Sequence, residues 1–247
     1  MIKIDKITKS FGAKTVYSDF SLDIPTGSFL AVLGRSGTGK SVLLKNILGI
    51  LNPEIGDIWV NGLCVNRASQ NDLDKMREKC SIVFQGSALF DSLKVWENVS
   101  FAFLQKKSYS EKYCREIAYR NLKWVGLESS AELYPSDLSG GMRKRVAIAR
   151  AVSVNPKIIL YDEPTTGLDP ITTNMINDLM AEVHDKFKAT SIVVTHDLES
   201  MYRVCDEAAI LYNGKCVFYG PVKNIKTSKN PYVEQFLKGD TDGPMGR

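Results

Sequence analysis

The chain has 247 residues, 44% of them hydrophobic, which is enough for one large α/β domain with a smaller lobe. Its formal net charge of +4 is spread without a Lys/Arg block or a basic stripe interleaved with aromatics, which argues against nucleic acid as the partner. No apolar run is long enough to cross a bilayer, so a membrane role needs its span from another chain. The five cysteines are odd in number and lack a C-x-x-C pair, the pattern of reduced thiols in a cytosolic protein.

Residues 1–7 alternate apolar and polar as a strand does and form no apolar signal core. Phe11 follows at the end of this stretch, placed to stack on an adenine ring; the alternative is a strand-end core phenylalanine. Ser21-Leu22-Asp23-Ile24 and a turn at Pro25-Thr26-Gly27 lead into the apolar run Phe29-Leu30-Ala31-Val32-Leu33. Next come Gly34-Arg35-Ser36-Gly37-Thr38-Gly39-Lys40-Ser41, and then Val42, Leu43, Leu44, Ile47, Leu48 and Leu51 at helical spacing. A strand, a glycine loop and a helix in that order present successive backbone N–H groups to an anion at the positive end of the helix. Lys40 would reach the β- and γ-phosphates of a nucleotide, and the Ser41 hydroxyl would hold a bridging Mg²⁺. No second copy of this pattern occurs.

Asn61-Gly62 and Asn213-Gly214 each sit between two β-type runs and predict tight hairpins, expected as antiparallel decoration on a parallel core. Ser81-Ile82-Val83-Phe84 reads as a buried strand whose exit carries Gln85, a polar side chain placed to meet Mg²⁺ and the attacking water. Residues 95–126 turn helical and aromatic, a small lobe. Its surplus rings belong either to the lobe core or to an interface, with Phe84, Ala88, Leu89 and Phe90 as candidates for a partner groove. After Leu138, Ser139 is a helix N-cap and Gly140-Gly141 frees N–H groups beside it, a second phosphate-binding surface ahead of a helix expected over residues 143–154. One chain does not easily bring both phosphate surfaces to one ligand, whereas a second molecule does. Ile158-Ile159-Leu160-Tyr161-Asp162-Glu163 is a buried parallel strand with two acids at its carboxyl end, Asp162 for the metal and Glu163 as general base. Ser191-Ile192-Val193-Val194-Thr195 is another such strand, and His196 at its exit is placed to meet the γ-phosphate or the water.

Together these motifs resemble an ABC-type ATPase subunit over about residues 3–220. By that resemblance residues 34–41 are the Walker A loop, Gln85 the Q-loop, and Leu138-Ser139-Gly140-Gly141 the signature, with Met142 where glutamine is usual. Residues 158–163 are then the Walker B strand, Asp169 the D-loop residue and His196 the switch histidine. The family implies a P-loop α/β fold, a mostly parallel sheet flanked by helices with antiparallel β decoration and a helical subdomain at about residues 87–155, all in one domain spanning residues 1–226. It also implies ATP with Mg²⁺ held by Ser41, Gln85 and Asp162, and a head-to-tail homodimer in which Ser139, Gly140 and Gly141 act in trans.

A narrower resemblance rests on Phe84-Gln85-Gly86-Ser87-Ala88-Leu89-Phe90-Asp91, on Ser139-Gly140-Gly141-Met142-Arg143-Lys144-Arg145 and on the tail Gln235-Phe236-Leu237-Lys238-Gly239. These are similar to the ATPases of Mla- and Mce-type lipid-transport systems, which drive a transmembrane permease together with a lipid-binding partner. That resemblance implies phospholipid or another hydrophobic cargo, a place on the cytoplasmic face of the membrane, and a C-terminal extension (residues 227–247) that reaches the dimer partner. Val42 stands where many relatives have Thr and Phe11 where many have Tyr, and neither change removes a group needed for hydrolysis. The other expectations are an importer ATPase for a small solute such as a nucleotide, amino acid or ion, and a soluble ABC ATPase such as an iron–sulfur assembly factor.

Overall fold

The computed structural model describes residues 1–106 and 108–246. The chain divides into two compact units, Met1–Arg77 with Thr190–Arg247, and Glu78–Ala189. The first unit opens with β1 (Ile2–Phe11), β2 (Lys14–Ile24), β3 (Phe29–Gly34), α1 (Lys40–Ile47), β4 (Ile55–Val60), β5 (Leu63–Cys64) and α2 (Gln70–Arg77). The second holds β6 (Cys80–Val83), α3 (Val95–Leu104), α4 (Glu111–Trp124), α5 (Gly140–Val152), β7 (Ile158–Asp162) and α6 (Pro170–Phe187). The chain then returns to the first unit with β8 (Thr190–Val194), α7 (Leu198–Val204), β9 (Glu207–Tyr212), β10 (Lys215–Pro221), α8 (Val222–Ile225) and α9 (Pro231–Lys238).

In the first unit β2-β1-β4-β5 form an antiparallel sheet, in which Asn61 and Gly62 take the positive φ values (50° and 85°) of the expected tight hairpin. The second sheet runs β10-β9-β3-β8. Its β3 is buried at every position and pairs in parallel with β8 and with β9, which is why this run reads as uninterrupted apolar residues. The hairpin at Asn213-Gly214 forms, but the expectation of pure decoration is corrected: Ala208 to Leu211 of β9 are wholly buried and belong to the parallel core, and only β10 is antiparallel. A turn signal reports the two strands beside it, not the third strand that one of them joins.

In the second unit β6 and β7 pair in parallel, Cys80 opposite Ile158 through Val83 opposite Tyr161. The aromatic lobe over α3 and α4 is real, with the Arg115 guanidinium 4.1 Å above the buried Trp96 ring and Phe103 edge-on to Tyr109 and Tyr113. Most of the ring surplus therefore packs the lobe, while Ala88 and Phe90 are exposed. The expected helix at residues 143–154 instead spans Gly140–Val152, because the Ser139 cap starts it before the two low-propensity glycines. Four further helices, α2, α7, α8 and α9, go beyond the sequence expectations. The α2 segment is polar almost throughout, the two turns of α7 are set by the Asp197 cap, and α9 is set by an Asn230 cap with Pro231 at its first position.

Candidate functional site

The apolar β3 ends at Gly34, and the loop at residues 34–41 turns directly into α1. Gly39 is the N-cap of α1 at φ 96°, so the first turn has no side-chain cap and its N–H groups face the loop cavity as an anion site requires. Only glycine fits there, since a Cβ would lie 2.4 Å from Val16 Cγ1 and 2.9 Å from the Tyr17 oxygen. The Tyr17 hydroxyl donates to the Gly39 carbonyl at 2.5 Å, and burial pushes its pKa up. Thr38 closes the loop with N–H and hydroxyl bonds to the Arg35 carbonyl at 3.3 and 2.9 Å. The Lys40 ammonium arcs back over the loop to the Gly34 carbonyl at 2.8 Å and the Arg35 carbonyl at 3.2 Å, so its charge lies inside the cradle. Ser36 and Gly37 are exposed at the loop's rim, and Ser41 is half-buried on the first turn of α1.

Two more expected residues lie in this unit. The Phe11 ring, 46% exposed at the end of β1 with the Lys9 ammonium 5.1 Å from its centre, is not a core residue and has a face open to a ligand. His196 is exposed at the exit of β8, where the preceding Thr195 N–H bonds to the Val32 carbonyl of the phosphate-loop strand. The tail also comes to the loop. Arg35 donates to the Met245 carbonyl at 3.2 Å, and Gln235 of α9 holds the chain end through Met245 N–H at 2.7 Å and the Asp240 carbonyl at 3.1 Å.

The second unit carries the acids. Asp162 ends β7, and Glu163 leaves the strand at φ 49°, its carboxylate accepting from the Thr166 hydroxyl at 2.9 Å. Gln85 follows β6 with an exposed side chain. Ser139 caps α5 by accepting from Met142 N–H at 3.3 Å, and Gly140 and Gly141 form the first turn. Gly141 is packed so closely that a Cβ would lie 2.4 Å from Thr172 Cγ2. Asp169 caps α6, accepting from the N–H groups of Ile171 and Thr172 at 3.0 Å each and from the Thr172 hydroxyl at 2.5 Å, and that hydroxyl above all holds its carboxyl below the usual range.

Sequence reading missed the supports of these groups. Lys144 is buried, donates to the Gln85 carbonyl, and lies 3.4 Å from the Glu163 carbonyl; burial pulls its pKa down against the opposing charges of Glu163 and Asp162. Arg150 donates to the Ser87 and Ala88 carbonyls at 2.8 and 2.7 Å. In the sequence both are ordinary charges on a helix, and Tyr17 is one aromatic in an alternating strand, so only tertiary register could have found them.

The charged cradle at Lys40, beside an uncapped helix start, fits a polyphosphate. Among the described residues there is no group of three or more His, Cys, Asp or Glu that could hold a metal ion. The ABC transporter family matches residues 17–166. The probable ribonucleotide transport ATP-binding protein mkl of Mycobacterium leprae is 38% identical over 245 residues, 99% of this chain and 71% of that protein. The intermembrane phospholipid transport system ATP-binding protein MlaF of Haemophilus influenzae is 37% identical over 245 residues, 99% of this chain and 93% of that protein. Among solved structures, the dimeric post-hydrolysis state of the ATP-binding cassette MJ0796 bound to ADP and Pi superposes with a TM-score of 0.82 at 32% identity, over 90% of this chain and 99% of that one.

Proposed function

The chain belongs to the ABC transporter family and is one of its ATP-binding, ATP-hydrolysing subunits, and on that premise we propose that it drives phospholipid or a related hydrophobic molecule through a separate permease. The observation that carries the ATPase reading is the loop at residues 34–41 with the Lys40 ammonium arched over it. Identity to MlaF along nearly the whole of both chains supports the lipid cargo.

In this reading the loop N–H groups with Gly34, Arg35, Ser36, Gly37, Thr38 and Gly39 wrap the phosphates, Lys40 neutralises charge on the β- and γ-phosphates, and Phe11 stacks on the adenine. Ser41, Gln85 and Asp162 hold Mg²⁺, which supplies charge neutralisation on the transferring phosphoryl group when bound. Glu163 takes the proton of the attacking water, and His196 orients that water or the γ-phosphate. Ser139, Gly140, Gly141 and Asp169 engage the ATP of a second copy in a head-to-tail homodimer. No helix among the described residues is long and apolar enough to cross a membrane, which suits a peripheral subunit on the cytoplasmic face with its span supplied by the permease. We assign residues 1–226 to one ATPase domain with a helical subdomain at about 87–155, residues 227–247 to an extension that reaches the dimer partner, and a lipid-binding protein of the Mla or Mce type to the assembly.

A second reading, import of a small solute such as a ribonucleotide, is supported by the mycobacterial relative, a probable ribonucleotide transport ATP-binding protein. Affinity capture from detergent-solubilised membranes, with mass spectrometry of proteins and lipids, separates the two. A permease with a lipid-carrying protein and enriched phospholipid supports the first reading; a permease with a soluble solute-binding protein and no lipid overturns the cargo.

A further inference from the structure

The Arg143-Lys144-Arg145 run of α5 looks like a solvated basic patch, yet each cation is used on main-chain carbonyls. Arg143 donates to Leu138, Arg145 to Val125 at 3.0 Å, and Arg150, about a turn and a half further, to Ser87 and Ala88. Lys144 is the most buried of the four at 5% exposure, and its carbonyl partners belong to Gln85 and Glu163, the two residues assigned to the metal, the water and the proton. Glu163 at φ 49°, Ser87 at φ 63° and Ala88 at φ 47° are all left-handed non-glycine residues, a conformation that persists where its surroundings impose it. The three lie on chain segments gripped by Lys144 or Arg150.

We propose that Lys144 is a positioning residue for hydrolysis, an internal tie that holds the main chain of Gln85 and of Glu163 to the first turns of α5. The proposal rests on the reading of Glu163 as general base and Gln85 as a ligand of the metal and water. One charged, three-donor amine serves both carbonyls, so the two polar side chains are aimed from a common anchor rather than by their own loops. Because the same helix begins at Ser139, Gly140 and Gly141, an ATP engaged at that start acts on a rigid rod whose next turn fixes the hydrolytic residues. Arg150, about 9 Å further along the rod, clamps the continuation of the Gln85 loop.

The test uses the full chain and compares Lys144→Met, Lys144→Arg, Lys144→Gln and Glu163→Gln for steady-state ATPase activity, binding of a fluorescent ATP analogue and thermal midpoint. Lys144→Met keeps the length and removes the donors. It is expected to lower kcat by about ten- to a hundredfold, the scale of a displacement of roughly an ångström in a reacting group, with KM and analogue affinity within about twofold of wild type. Lys144→Arg, which keeps charge and donors, is expected to recover at least half of that loss on a logarithmic scale. If Lys144→Met does not fold, Lys144→Gln replaces it, with an expected fall of about tenfold from its shorter, uncharged donor. Turnover within twofold of wild type overturns the proposal. So does a parallel loss of affinity and turnover, or an arginine variant as slow as the methionine one, since either marks a packing role. Undiminished turnover in Glu163→Gln is a separate failure that removes the general-base reading whatever Lys144 does.

Discussion

Gly141→Ala puts one methyl group where α5 and α6 meet. The added carbon would lie 2.4 Å from Thr172 Cγ2, against an optimal carbon separation of about 3.5–4.0 Å, so one of the two helix starts has to move. Two opposed terms set the outcome. Alanine is better than glycine inside a helix by up to about 1 kcal/mol, and overpacking a tight contact costs about 1–3 kcal/mol. The net expectation is a loss of up to about 2 kcal/mol, or a fall in Tm of some 4–8 °C at the usual 2–4 °C per kcal/mol for a chain of this size. Thr172→Ser removes the offending methyl and keeps the hydroxyl that donates to Asp169 at 2.5 Å. In that background only the helix-propensity term remains, so Gly141→Ala becomes stabilising by up to about 1 kcal/mol relative to Thr172→Ser alone. Urea unfolding of the four proteins gives the cycle directly, with a favourable coupling of at least about 1 kcal/mol. Effects of the same sign and size in both backgrounds would refute the packing argument.

Other perturbations follow from the same geometry. Tyr17→Phe removes the hydroxyl under Gly39 and is expected to weaken ATP-analogue binding about three- to tenfold, the worth of one buried hydrogen bond of about 1 kcal/mol; unchanged affinity contradicts a supporting role for Tyr17. Glu132 accepts from Lys94, Arg115 and the Tyr119 hydroxyl, and these bonds, from Lys94 first, hold its carboxyl at about 2. Its folded pKa lies below the unfolded one, so its contribution is complete above the ordinary value of 4.5 and fades as pH falls from there toward about 2. The gap in urea midpoint between wild type and Glu132→Gln should therefore narrow over that window, and a gap constant down to about pH 3 contradicts the linkage. Gln235→Ala deletes the side chain that holds the chain end at Met245, Asp240 and Gly246, and should speed proteolysis of residues 240–247 several-fold with little change in global unfolding; equal cleavage rates count against the latch.

Local chemistry carried its own weight in the sequence. Strand, glycine loop and helix at residues 29–51, the acids at the end of β7 and the Ser139 cap are each written in short consecutive stretches, and each lies where the pattern placed it, except that α1 ends at Ile47 and leaves Leu51 outside the helix. What escaped is what depends on distant partners. The parallel pairing of β9 with β3 joins residues about 180 apart in sequence, and the Asn213-Gly214 turn is silent about it. α5 starts three residues before the expected Arg143, because the Ser139 cap carries the two low-propensity glycines into its first turn. Lys144, Arg150 and Tyr17 look ordinary in one dimension, and their roles appear only when the carbonyls of Gln85, Glu163, Ser87, Ala88 and Gly39 are brought within their reach.

We propose that Glu163 is the base for ATP hydrolysis in a closing pair of subunits. The most direct test compares wild type with Glu163→Gln in ATPase turnover, analogue binding and size-exclusion chromatography with ATP and Mg²⁺. Wild-type affinity, turnover lowered by about a hundredfold or more, and an ATP-dependent dimer that persists in the variant are expected. Undiminished turnover in Glu163→Gln, or a variant that stays monomeric with ATP bound, would contradict it.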